Sequence, residues 1–64
     1  METIKIMLEG IKAELCNSQS RIHEALQEND PRIVEKKLEI AEELCEVIRR
    51  QLETTKEFCK VTYA

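Results

Sequence analysis

One histidine and three cysteines are the side chains through which nucleophilic, redox or metal chemistry would have to pass in this chain. Acid-base work would fall to His23, whose ordinary pKa lies near neutrality. By helical phase His23 points away from the apolar stripe of its helix, which makes it a solvent-facing residue. Cys16 and Cys45 fall at similar levels when the chain is folded about Asp30, and with His23 they could be drawn as metal ligands. Structural zinc favours ligands in close pairs, and the sequence has neither a Cys-x-x-Cys nor a second histidine. A disulfide between Cys16 and Cys45 would need their Cα atoms within about 7 Å, closer than the roughly 8–10 Å that separates packed helix axes. The odd number of cysteines also argues against a disulfide framework. Cys45 is therefore read as a small core residue and Cys16 as a lateral one, both reduced.

Charged side chains offer two further patterns. Glu35, Glu39, Glu42 and Glu46 form an acidic stripe at helical spacing, and Lys5, Lys12 and Gln19, with Arg21 nearby, line one edge of the first helix. The acidic stripe lies among Lys36, Arg49 and Arg50, which pair locally as on an ordinary solvated face. The basic edge could touch nucleic-acid phosphates, but no aromatic is interleaved with it for base stacking. No Ser-His-Asp or Cys-His arrangement and no glycine-rich phosphate loop can be assembled from these residues. The chain is accordingly expected to be no enzyme, with no cofactor, no metal and no small-molecule substrate.

These residues lie on two helices. The composition, 36% charged with a single glycine and a single proline, is that of a helix bundle or coiled coil and points to an all-α fold. Apolar positions Ile4, Leu8, Ile11, Leu15, Ser18, Ile22 and Ala25 alternate by four and three, predicting helix 1 over about 2–28. Gly10 and the Cys16–Ser20 segment are its weak points, and a kink near Asn17 is the alternative to a continuous helix. In Asn29-Asp30-Pro31 the proline disfavours helical geometry at Asp30, the Asp30 carboxylate can cap the next helix, and Pro31 suits the first helical position. Asn29 suits the left-handed conformation that ends many helices. The turn is thus 29–30 and helix 2 runs over about 31–61. So short a connection predicts an antiparallel hairpin occupying residues 1–64 as one domain.

Helix 2 carries more apolar surface than a hairpin needs. Its first seam is Val34, Leu38, Ala41, Cys45, Ile48, Leu52, Thr55, Cys59 and Thr62. A second seam beside it holds Ile33, Ile40, Val47 and Val61, with Leu44 and Phe58 between. At about 100° per residue the merged sector is roughly 160° wide, where one face on one core uses about 100°. A chain of this size also makes only a marginal core alone. Helix 2 is therefore expected to pack on helix 1 through the first seam and on another chain through Ile33, Ile40, Leu44, Val47, Phe58 and Val61.

The net charge of −3 comes with acids and bases interspersed, and no block of like charge marks a nucleic-acid or membrane contact. The opening Met1-Glu2-Thr3-Ile4-Lys5 lacks a basic start leading into an apolar run, and no stretch approaches about 18 apolar residues. A cytoplasmic chain without membrane contact is expected.

In its two similar helices, its Asp-containing turn near residue 30 and its length, the chain resembles the Rop family of plasmid RNA-binding hairpins. That resemblance implies dimerisation into a four-helix bundle and an RNA-contacting edge at Lys5, Lys12, Gln19 and Arg21. The likeness is one of architecture, and no motif carries it. The turn and the start of helix 2 also resemble a HEAT repeat, and the dimensions are similar to those of small helical-hairpin secretion chaperones. The residues themselves favour a non-enzymatic protein–protein interaction module, a small regulator, adaptor or chaperone-like subunit. Its partner would be a second copy in a four-helix bundle, the commonest symmetric oligomer being a two-fold dimer, or a partner protein helix. The alternative is a Rop-like RNA-binding regulator.

Overall fold

Asp30 and Pro31 make the one reversal of the chain. In a computed structural model that describes residues 1–63, helix α1 spans Glu2–Leu26 and helix α2 spans Pro31–Tyr63, and the two pack against each other as an α-hairpin. Asp30 Oδ1 accepts the Arg32 amide at 3.0 Å, and the Asp30 carbonyl accepts from Ile33 and Val34, both at 3.0 Å. The predicted cap is therefore present, a feature worth about 0.5–2 kcal/mol in helices generally.

The end of α1 differs from the expectation. No described residue has a positive φ, so Asn29 does not take the left-handed conformation. Instead Gln27 and Glu28 donate to the carbonyls of Glu24 and Ala25, each at 3.2 Å, tightening the last turn into 3₁₀-type bonds. The Glu28 carboxylate then accepts the amides of Asn29 and Asp30 at 3.1 and 3.3 Å. The free donors after α1 are satisfied by a side chain, and the backbone has no need of the left-handed region. Helix α1 thus stops at Leu26 rather than Glu28, and α2 continues to Tyr63.

No break occurs near Asn17. Helix α1 is continuous through Cys16–Ser20, and Ser20 Oγ donates to the Cys16 carbonyl at 3.1 Å, so the serine is satisfied within the helix it could have disturbed. The result is a thin rod, 51 × 16 × 10 Å with a radius of gyration of 15.0 Å, where a compact chain of this length would have about 11 Å.

The core is thinner than the first seam predicts. Its buried residues are Ile4, Ile11, Ala41, Ile48 and Thr55. Half-buried Met7, Glu14, Ser18 and Arg21 continue the stripe on α1, and Val34, Lys37, Leu44 and Gln51 continue it on α2. Alternate members of each predicted stripe, Cys59 excepted, are missing from this inner face. Leu8, Leu15 and Ile22 of α1 and Leu38, Cys45 and Leu52 of α2 are exposed, so Cys45 is not a core residue. Relative to the expected facing, each helix is turned by about 50° about its own axis.

Candidate functional site

The turn of the helices leaves apolar side chains on both broad sides of the hairpin. On one side Leu8, Leu15, Ile22, Leu38 and Leu52 are between 41% and 52% exposed. Ile22, Leu38 and Cys45 line one groove floored by Ala41, and Ser18 Oγ lies 4.0 Å from Cys45 Sγ. With Ile22 beside Leu38, stepping one heptad at a time along antiparallel helices puts Leu15 beside Cys45 and Leu8 beside Leu52. Both helices therefore contribute to a ladder of apolar rungs that nothing covers within the hairpin.

The opposite side is supplied mainly by α2. Ile33, Ile40 and Val47 stand 39–43% exposed along it, with Phe58 at 39% and Val61 at 79% towards the far end. Leu44 lies deeper, half-buried against α1. Val47 also lines a groove with Met7, Gly10, Gln51 and Thr54. Nothing lies within 4 Å of where a Gly10 Cβ would stand, so no contact inside the hairpin requires glycine there. Gly10→Ala is expected to raise the stability of the fold by up to about 1 kcal/mol per chain, read as the shift in its urea midpoint at fixed protein concentration. A destabilised variant would show that the open space beside Gly10 is used.

Polar groups share the strip between the helices. Lys37 Nζ reaches Glu24 Oε1 at 3.3 Å across the hairpin, and Arg21 holds the same carboxylate at 3.1 Å. The Lys37 hydrogen bond, with help from Arg21, lowers the Glu24 pKa below the usual carboxylate value. A lowered folded pKa makes this contribution present above the unfolded value, about 4.3, and lost as pH falls through the folded one. Sequence reading missed this cross-helix pair because Lys37 and Glu24 lie on no common helix face; only the fold brings them together. Arg21 Nε and Gln51 Oε1 are buried without a hydrogen-bond partner among the described residues, so the inner strip is also imperfectly satisfied.

The remaining candidates are dispersed. His23 is exposed, 3.2 Å from Gln27 Nε2. Cys16 and Cys45 are free and exposed, and Cys59 is half-buried. Among the described residues no group of three or more His, Cys, Asp or Glu side chains could hold a metal ion. Lys5, Lys12 and Gln19 are exposed along one edge of α1, whereas Arg21 is turned inward to Glu24. In the acidic stripe Glu46 pairs with Arg49 at 2.6 Å, and the same guanidinium holds Glu53 at 2.9 Å. The Arg49 hydrogen bond lowers the Glu46 pKa, and Glu46 in turn raises that of Arg49. None of the described helices is long and apolar enough to cross a membrane. No protein-family model matches the chain, and neither a curated protein nor a solved structure matches it.

Proposed function

We propose that this chain is a non-enzymatic protein–protein interaction module, a small regulator, adaptor or chaperone-like subunit that completes its core against a second polypeptide. The observation that carries this reading is the imbalance between a core of Ile4, Ile11, Ala41 and Ile48 and large apolar side chains left exposed on both sides of the rod. So thin a core is marginal for a chain this small, and contiguous apolar surface of this kind marks contact sites. The contact surface includes Ile33, Ile40 and Val47 of α2, with Phe58 and Val61 at the end and Leu44 backing them from within. Its occupants are apolar helices, from a second copy in a four-helix bundle or from a partner protein.

Light scattering on the purified chain tests the reading. A dimer of about 15 kDa, twice the 7.5 kDa chain, is expected at micromolar concentration. A fully helical, cooperatively melting monomer would contradict it.

A further inference from the structure

We propose that the apolar ladder, Leu8, Leu15 and Ile22 with Leu38, Cys45 and Leu52, is the face on which two copies of this chain meet, with their turns at opposite ends. This rests on the associating module proposed above and assigns its partner, its face and its symmetry. The first argument is rotational. In a four-helix bundle each helix has two neighbours at right angles, so its apolar sector aims between them, about 45° off the line to either one. The α1 stripe and the first seam of α2 are turned by about 50° from mutual facing, both towards the same broad side, where the ladder lies, while the second seam of α2 lies on the other side of the inner row.

The second argument is area. A globular monomer of 7.5 kDa exposes about 4,200 Å², whereas the hairpin exposes 5235 Å². The excess of about 1,000 Å² is close to the roughly 800 Å² per partner that a stable protein interface buries.

Charge decides the symmetry. The ladder is bordered on α1 by Lys5, Lys12, Gln19 and Leu26 and on α2 by Glu35, Glu42, Arg49 and Lys56, the positions one helical step outside the rungs. With the two-fold axis perpendicular to the helices, α2 lies antiparallel over α2 of the second copy. Glu35 then faces Lys56 of the second copy and Glu42 faces its Arg49, while Lys12 meets its Gln19 and Lys5 its Leu26. Leu8 packs on Ile22 of the second copy, Leu38 on its Leu52, and Leu15 and Cys45 each meet their own counterparts at the axis. With the axis parallel to the helices, α1 would instead lie over α2 of the second copy. Lys5 would then face Lys56 and Lys12 would face Arg49, cation against cation. Glu35, Glu42 and Lys56 make no ion pair among the described residues, so they are free to pair between copies; Arg49 is already held by Glu46 and Glu53, so the complementarity rests chiefly on Glu35 with Lys56. The ladder buried this way leaves Ile33, Ile40 and Val47 on the outer side for a different protein.

A charge swap tests this on the full chain by sedimentation equilibrium. Glu35→Lys and Lys56→Glu should each raise the dimer dissociation constant about tenfold, and the double variant should restore it. The two positions are about 31 Å apart along one straight helix, too far to pair within one copy, and restoration that persists at high salt, where the effect of net charge is screened, marks contact between copies. Leu15→Asp should abolish the dimer and Val47→Asp should leave it intact. A wild-type chain that is monomeric removes the association and this assignment together. A dimer without rescue in the double variant, or one broken by Val47→Asp and indifferent to Leu15→Asp, overturns the assignment and leaves the interaction module standing.

Discussion

Ile48→Ala should remove about 2–4 kcal/mol of stability, a large share of the roughly 3–10 kcal/mol available to a chain of this length. Ile48 is 6% exposed and is one of four buried apolar side chains among the described residues. Its neighbours cannot close the gap, because the layer it belongs to is a single row of Ile and Ala between two helices, with Gln51 and Thr55 on the next turns. At roughly 4–8 °C per kcal/mol for small domains, the melting temperature should fall by about 10–30 °C, followed by circular dichroism at 222 nm. Ile6→Ala is the control. Ile6 is 66% exposed, and its loss should cost less than about 0.5 kcal/mol. Equal effects of the two substitutions would mean that the inner row does not carry the hairpin.

Dilution should unfold this protein. If the exposed apolar faces complete the core only when covered by another chain, folding and association are one equilibrium, and each tenfold dilution removes about 1.4 kcal/mol of apparent stability. From 100 µM to 100 nM the loss is about 4 kcal/mol on the same arithmetic, enough to melt a fold of marginal stability. Helicity followed over such a series should fall, and the thermal midpoint should rise with concentration at the upper end. A midpoint that is the same across the series would show that the row of Ile4, Ile11, Ala41 and Ile48 suffices by itself, and the interaction module would lose its main support.

Much of the fold was legible residue by residue. Pro31 and Asp30 act locally, through a fixed φ and a short carboxylate, and their effect on the turn does not depend on the rest of the chain. The termination of α1 was less legible, because the Glu28 side chain competes with the left-handed backbone solution and wins without leaving a distinctive spacing. Cys45 shows the other limit. Its place among Ala41, Ile48 and Leu52 marks it as apolar-facing, yet the face it shares with Leu38 and Leu52 opens on a broad side of the hairpin and not into the inner row. The Glu24–Lys37 bridge lay beyond reach for a similar reason, since it depends on the register of one helix against the other.

By itself the sequence determined that there are two helices, where they reverse, and which side chains share a face, because the period of the α-helix and the chemistry of the turn are local properties. Only the tertiary structure decided towards what each face points. The rotation of a helix about its own axis is set by everything packed around it, and a periodic stripe looks the same whichever neighbour it meets. That rotation split the stripe of helix 1 and the first seam of helix 2, sending Ile4, Ile11, Ala41 and Ile48 inward and Leu8, Leu15, Ile22, Leu38 and Leu52 to the surface.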